Sequence, residues 1–340
     1  MQNGLSSEFL SITTGMICIL NNNVDPYFNL AAEEYLMKHT VEEVFMLWRC
    51  HSTVVVGKHQ NTLAEINYPY VKKNNIKVAR RLSGGGTVFH DKGNVNFTFI
   101  RNGEKGKLVD YNRHVTPVIE ILKETGINAK PGKKNEILLE GKKISGNAEH
   151  IYKSRILHHG TLLFDSELDT LKRTIQATPG KYHDKAVQSV RSEVTNIVDY
   201  LPEKITVEKF MIRLFDTFVS NTPDTCHYHF SRTDLMNVNQ LAEQKYNTWE
   251  WIYGYSPGYS FKNRMILEGR LINITLNVEN GIIKSAAITG NFFTAGQKDR
   301  LADAMIQLRH NEQQIRKAVA GIFPYQFNDD TIDSITEGFF

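Results

Sequence analysis

Three consecutive glycines, Gly84, Gly85 and Gly86, sit inside the run Arg80-Arg81-Leu82-Ser83-Gly84-Gly85-Gly86-Thr87-Val88-Phe89-His90. They constrain the fold more than any other feature of the chain. Strand-like residues lie on both sides, so the triplet must be a connection whose backbone goes where a Cβ would forbid, or where a ligand comes close. Successive peptide N–H groups in such a loop can form an anion-binding nest. The two arginines add fixed charge and forked donors suited to carboxylate or phosphate. A bare glycine triplet also suits a plain turn or bulge; Arg80-Arg81 before it and His90-Asp91 after it favour a ligand site. No Gly-Lys-Ser/Thr follows at P-loop spacing, and no G-x-G-x-x-G opens a helix. The loop therefore belongs to a different phosphate-handling fold.

The rest of the chain reads as mixed helix and strand. Phe28, Ala31, Ala32, Tyr35 and Leu36 share a helical face, with Asn29 placed to cap it. Val44–Trp48, Thr53–Gly57, Ile76–Arg81, Val95–Ile100 and Ile156–Phe164 read as strands. Val115, Val118, Ile119 and Leu122 mark a helix that Gly126 stops. Asp165 or Ser166 could cap the next helix, and Thr206 one that runs to about Val219. Gly180–Ser192 has no period and reads as a long, functional loop. Leu271–Val278 and Ile282–Thr289 flank Glu279-Asn280-Gly281, a hairpin signal. Helical stretches follow near Lys298–Leu308 and Glu312–Ile322. The expected division is a catalytic unit over 1–254 and a small α+β accessory unit over 255–340.

A second candidate site is the hairpin in which Glu140-Gly141 joins Ile137–Leu139 to Lys142-Lys143-Ile144-Ser145-Gly146-Asn147-Ala148. Side chains alternate along a strand, so Lys143, Ser145 and Asn147 should share one face and Ile144 the other. A lysine, a hydroxyl and an amide on one side make a polar wall; solvated lysines on an exposed hairpin are the plainer alternative. His158-His159-Gly160-Thr161 on the next strand could back that wall. Adjacent strand residues diverge, so shared metal ligation by the two histidines is not expected.

Composition narrows the class. The chain has 340 residues, 41% hydrophobic and 23% charged, with a net charge of +3. That is ordinary globular composition with no field pointing to nucleic acid or an anionic membrane. A local basic cluster does exist: Lys130, Lys133, Lys134, Lys142, Lys143, Lys153 and Arg155. Cys18, Cys50 and Cys226 form neither a disulfide framework nor a zinc set. The reading is a cytoplasmic protein without a membrane segment.

Taken in order, these motifs resemble the lipoate–protein ligases. The resemblance rests on Arg80–His90, Gly93-Asn94, Lys143–Ala148, His158–Leu163 and Ser189-Val190-Arg191-Ser192. It extends to Asn29-Leu30-Ala31 and to Trp249-Glu250-Trp251-Ile252-Tyr253-Gly254, and so covers nearly the whole chain. It implies an α+β fold: a large mixed-sheet catalytic domain of the biotin/lipoate-ligase kind, related to class II synthetases, with a C-terminal accessory domain. It also implies a two-step reaction. Lipoate and ATP give lipoyl-AMP and pyrophosphate with Mg2+ bridging phosphates. The lipoyl group then passes to a lysine of a lipoyl-carrier domain, in 2-oxoacid dehydrogenase E2 subunits and/or the glycine-cleavage H protein.

By the same resemblance Lys143 is the central cation. Arg81, Gly86, Thr87, Val88, Phe89, Asn135, Glu136 and Ala148 join it at the nucleotide. Arg80, Ser83, Gly84, Gly85, His90, Ser145, Gly146, His159 and Gly160 lie along the lipoyl group, and Glu136 is a candidate metal ligand. Trp48, Val55 and Val88 are candidates for the apolar slot. Residues 173–192 match a loop that closes over the adenylate, and a monomer is expected.

Two positions depart from the family pattern. Asn135-Glu136 replaces Asn-Asp, and Gly57-Lys58-His59-Gln60-Asn61 carries lysine where arginine is usual. Two rivals stay open: an ATP-independent lipoyl or octanoyl amidotransferase of the same fold, for which Cys50 would be the cysteine to test, and a non-catalytic lipoate- or nucleotide-binding module.

Overall fold

The structure, a computed structural model, describes residues 15–103, 110–133, 135–175 and 179–340. Lys134 of the basic cluster, residues 1–14 and 104–109 of the expected catalytic unit, and 176–178 of the expected closing loop lie outside the described residues.

The core of the larger unit is an eight-stranded mixed sheet. Its order is Thr225–His227, Met16–Leu20, Val44–Trp48, Asn94–Asn102, Arg155–Leu163, Lys142–Tyr152, Glu136–Leu139 and Lys130–Pro131. Met16–Leu20 pairs in parallel with both neighbours; from Val44–Trp48 onward the pairing is antiparallel. All nine residues of Arg155–Leu163 are buried because helices cover both faces of the sheet. On one face, Phe97 and Phe99 pack with Tyr111–Glu124 and Val207–Asn221; on the other, Met46, Trp48 and Ile100 pack with Pro26–His39. The first helix is capped by Asp25, not Asn29: Asp25 Oδ1 accepts from the N–H groups of Tyr27 and Phe28. Asn29 is buried one turn inside, where it accepts from Asn21 and donates to the carbonyls of Asn23 and Arg49. Neither Asp165 nor Ser166 caps the helix Leu168–Thr174; Glu167 stands at that position without a side-chain cap. Thr206 does cap Val207–Asn221.

A second, three-stranded sheet has the order Lys77–Arg80, Thr53–Val56, Val88–His90. The outer strands pair parallel and antiparallel with the middle one. The glycine triplet connects those outer strands across the end of the sheet.

The C-terminal unit is an antiparallel sheet, Tyr259–Leu267, Arg270–Glu279 and Ile282–Gly290, covered by helices Ala295–Met305, Glu312–Ile322 and Asp329–Glu337. Both hairpin turns use left-handed pairs, Glu268-Gly269 and Asn280-Gly281, whose twist suits a two-residue connection. Tyr182–Asp184, expected as loop, adds an edge strand to this sheet by pairing with Tyr259–Leu267. Among the described residues no helix is long and apolar enough to cross a membrane.

Candidate active site

Because Lys77–Arg80 and Val88–His90 flank one central strand, residues 81–87 must turn back tightly. Arg81 fills the inside of that turn. Its guanidinium donates to the carbonyls of Gly84 and Gly86, both at 2.7 Å, and of Val55 at 3.2 Å, while Nε donates to Ser83 Oγ at 3.0 Å. Gly85 at the crest is exposed with φ +88°, a conformation a side chain would strain. Gly57 on the facing segment must also be glycine, since a Cβ there would stand 2.1 Å from the Gly85 carbonyl oxygen.

Burial pushes Arg81 down to about 10, against the opposing charge of Glu33. That carboxylate reaches Arg81 through two intervening side chains. Glu33 accepts from His159 Nδ1 at 2.9 Å and from Thr98 Oγ1 at 2.6 Å; His159 Nε2 meets Ser83 Oγ at 2.6 Å. The order serine, histidine, carboxylate imitates a hydrolytic triad. Ser83 is only 1% exposed, however, and already accepts from Arg81, so its hydroxyl braces the arginine and is closed to attack on a substrate.

Arg80 goes elsewhere. It was expected along the lipoyl group, but its side chain is wholly buried and forms no part of the cavity wall. It donates to the carbonyls of Gly57, Lys58, Gln60, Trp251 and Ile252 and to the hydroxyls of Thr62 and Ser256. Strand alternation points it away from the glycine loop, toward the segment that leads into the C-terminal unit. Ser83, likewise expected on the acyl group, stays behind the wall as Arg81's brace.

The lysine strand is not regular. Ile137 pairs with Ser145 but Leu138 pairs with Lys143, so Ile144 is an extra residue in a bulge. The bulge breaks the expected alternation: Ile144 and Ser145 are both buried, and Lys142 joins Lys143, Ser145 and Gly146 along one cavity wall. The Lys143 backbone is held from the other side by Glu193 and Thr195. Its ammonium lies beside Gly146, where a Cβ would meet Nζ at 3.1 Å. Burial lowers its pKa; Glu136 opposes that shift and Arg81 adds to it.

Two adjoining cavities share Lys143 in their walls. One, of about 420 Å³, is lined by Arg81, Gly84–Gly86, Thr87, Val88, His90, Asn135, Glu136, Ala148, His159 and Gly160, and ends in an apolar slot of Leu30, Trp48, Val55 and Val88. The other, of about 940 Å³, shares Thr87, Val88, Lys143 and Gly146 and adds Phe89 and Ser145. Of the residues expected in the site, only Arg80 and Ser83 are missing from these walls. Leu30, Tyr111 and Glu149 were not foreseen; each sits on an element whose pattern reads as ordinary core or surface. Glu33 was also missed, although a glutamate inside an otherwise apolar helical stripe is a detectable signal.

His90 ends the slot. Burial, with Arg81 and His159 near by, drives its imidazole down to about 3, and Nε2 has no hydrogen-bond partner among the described residues. Nδ1 lies 3.6 Å from Cys50 Sγ. Burial raises that thiol to about 12. A neutral imidazole beside a buried thiol generates no thiolate, which removes the support Cys50 gave to a thioester route.

Residues 187–192 cover the glycine loop. Ser189 Oγ accepts from the Thr87 N–H at 2.8 Å and from Gln60 Nε2 at 3.1 Å, and it donates to Glu65. It therefore occupies the Thr87 N–H at the end of the glycine loop.

A family model for the lipoyl protein ligase A/B catalytic domain matches residues 25–219, and one for the bacterial lipoate protein ligase C-terminus matches 256–338. The chain belongs to the lipoate–protein ligase family. Lipoate–protein ligase 1 of Staphylococcus aureus is 35% identical over 315 residues, covering 92% of this chain and 96% of that protein. Lipoate-protein ligase LplJ of Bacillus subtilis is 36% identical, covering 90% and 94%. Among solved structures, P. falciparum LipL1 in complex with lipoate superposes with a TM-score of 0.60 at 25% identity, covering 95% of this chain and 98% of that one. The mixed α+β ligase fold with its C-terminal domain is thus present throughout.

Proposed function

We propose that this ligase activates lipoate with ATP to lipoyl-AMP and then transfers the lipoyl group to a lysine amine on a carrier protein. The observation that carries this reading is the pair of adjoining cavities that share Lys143, one of which is lined both by the apolar Leu30, Trp48, Val55 and Val88 and by the glycine loop. A lipoyl chain needs the slot, a triphosphate needs the loop, and the bond between them forms where both meet one cation.

A carboxylate is a poor electrophile, and making it a mixed anhydride concentrates negative charge at the α-phosphate and acyl oxygens. Lys143 would stand between those oxygens and stabilise that charge. Partial burial makes its interaction stronger than in water. Arg81 works differently: its donors are taken up by loop carbonyls, so it fixes the loop and contributes charge from below. Peptide N–H groups of Gly86–Phe89 then face the phosphates. Ser189 must yield its place on the Thr87 N–H to a phosphate oxygen, so the 187–192 segment shifts when nucleotide enters. Once reseated, it shields the anhydride from water.

Magnesium fits the donors present. Mg2+ is usually held by one or two carboxylates together with substrate phosphates, and Glu136 supplies a carboxylate beside Lys143 with the Asn135 amide next to it. Bound there, it would neutralise phosphate charge as a Lewis acid. The longer glutamate is accommodated by Gly132, where a Cβ would strike Glu136 Cγ at 2.3 Å.

We assign residues up to 254 to catalysis and 255–340 to an accessory role. The acceptors we propose are lipoyl domains of 2-oxoacid dehydrogenase E2 subunits and the glycine-cleavage H protein, served by a cytoplasmic monomer. Lipoate-dependent ATP–pyrophosphate exchange tests the first step. Exchange with lipoate and Mg2+ is the expected result. Its absence, together with lipoyl transfer between carriers without ATP, would replace this reading by an amidotransferase.

A further inference from the structure

The apolar slot has a floor made of sheet. Trp48, Asn96 and Thr161 lie side by side on neighbouring strands, each directly opposite the next, so their side chains share one face. All three line the cavity. Thr98 and His159, also opposite one another, form the adjoining row on that face. The polar groups of this floor are mostly spoken for. The Trp48 indole N–H donates to Thr98 Oγ1 at 3.0 Å, and Thr98 in turn donates to Glu33. His159 stands between Glu33 and Ser83, and Thr161 Oγ1 accepts from the Gly146 N–H at 3.1 Å. Asn96 is different. Its Oδ1 accepts from Asn94 Nδ2 at 2.9 Å, but its Nδ2 has no hydrogen-bond partner among the described residues. The residue is 2% exposed, so what fills the slot is what meets that donor.

We propose that Asn96 is a specificity-determining residue for the acyl substrate, making the slot prefer a chain that ends in a sulfur-containing ring over a plain hydrocarbon tail. This rests on the ligase reading of the cavity. Water can serve the Asn96 donor while the slot is open. An acyl chain that fills the slot displaces that water. It must then supply an acceptor, or leave a buried donor bare, which costs more than an ordinary hydrogen bond is worth. A ring disulfide brings sulfur lone pairs, which are weak acceptors; a saturated tail brings none. Burial against Leu30, Trp48, Val55 and Val88 favours any apolar tail. Asn96 is therefore the part of the wall that tells the two apart.

His90 lines the same cavity, and its Nε2 is likewise without a partner among the described residues. Its neutral ring has one proton to place on either nitrogen, so it can meet a donor or an acceptor and sets no preference. Asn96 has no such freedom while Asn94 holds its oxygen. Turning both amides over would present Oδ1 to the slot instead, and the slot would then prefer a tail that donates. The ring of a bound acyl chain lies away from the carboxyl end that reacts at Lys143. The preference should therefore appear in KM and leave kcat nearly alone.

Pyrophosphate exchange with a matched pair of acids tests this: lipoate, and its cyclopentyl analogue, in which methylenes replace both sulfurs. The two have the same length and ring, and the analogue is the more apolar. In the parent the analogue's KM should lie about five- to tenfold above that of lipoate, the scale of one net hydrogen bond. Its kcat should stay within about twofold. Octanoate, with neither ring nor sulfur, should have a KM at least as high as the analogue's. In Asn96→Leu, lipoate and the analogue should fall within about twofold of each other, chiefly because the analogue's KM drops. Equal KM values in the parent, or an unchanged gap in a folded Asn96→Leu, would overturn the proposal. So would a lower KM for dihydrolipoate, whose S–H groups donate, than for lipoate. Asn96→Leu takes the acceptor from Asn94 Nδ2; if it does not fold, the comparison within the parent still decides. Absence of exchange with lipoate in the parent would sink the ligase reading instead. Equilibrium dialysis of lipoate and the analogue against the parent would then decide whether the slot prefers sulfur.

Discussion

Arg80 and Arg81 are neighbours with the same side chain, and the molecule uses them for opposite ends. Arg80 is sealed in a pocket of carbonyls and hydroxyls that joins the three-stranded sheet to residues 251–256. Arg81 is sealed beneath the glycine loop, where it fixes backbone that lines the cavity. Burial pushes both down to about 10. Their charges are handled differently, though. Arg81 has an acidic partner at a distance, Glu33, reached through His159 and Ser83. Among the described residues Arg80 is held by neutral oxygens, with the face of Tyr255 5.8 Å away. An arginine's position in a motif thus says little about its role until the direction of its side chain is known.

The comparison breaks most sharply at Arg81. Arg81→Ala would leave the Gly84 and Gly86 carbonyls without their donor and remove the cation beneath the glycine loop. Adenylation should fall about a thousandfold, the upper scale for a lost electrostatic element, read as lipoate-dependent pyrophosphate exchange. A fall smaller than tenfold would mean that the loop holds its shape without the guanidinium. Lys143→Ala should cost at least about a hundredfold in the same assay, with the melting temperature little changed. Near-normal turnover would remove Lys143 from the centre of the site.

Arg80→Ala should invert this pattern. It removes a buried donor shared by five carbonyls and two hydroxyls, some of which, such as the Gly57 and Ile252 carbonyls, keep a second partner, so unfolding free energy should drop by about 4 kcal/mol. The fraction still folded should adenylate within about tenfold of the parent. Denaturant titration beside active-site-normalised exchange separates the two effects. A stable Arg80→Ala protein with exchange lost would return Arg80 to the ligand site.

The contrast also marks how far the sequence could be read. The glycine triplet, the Glu140-Gly141 turn and the Asn280-Gly281 turn were legible because each demands a backbone that few residues can adopt, and Gly141 and Gly281 do take positive φ. Alternation along a strand sends Arg80 and Arg81 to opposite faces, but it cannot say which face lines the cavity. That is decided by Trp251, Ile252 and Ser256, far along the chain. The bulge at Ile144 was not legible either. It comes from the register with Glu136–Leu139 and from the Glu193–Thr195 segment that clamps Lys143, and neither leaves a local signature. Tyr182–Asp184 looked like loop because its pairing partner lies in another unit.

The finest distinction concerns what covers the Arg81 side. Ser189 Oγ occupies the Thr87 N–H, a donor the phosphates would need. If the hydroxyl and a phosphate oxygen compete for that hydrogen, removing the hydroxyl removes the competitor. Ser189→Ala should then lower KM for ATP by about two- to threefold, the scale of part of one net hydrogen bond. Loss of the Gln60 and Glu65 contacts should at the same time loosen the covering segment, so lipoyl-AMP should leak to water faster in the absence of a carrier. A raised KM for ATP would mean that Ser189 itself holds nucleotide in the closed state. The same substitution should leave the Arg80 side untouched, because Ser189 shares no partner with the carbonyl pocket beyond Gln60, whose side chain it meets while Arg80 takes the backbone oxygen. A change in global stability in Ser189→Ala would show that the two sides are coupled through that residue.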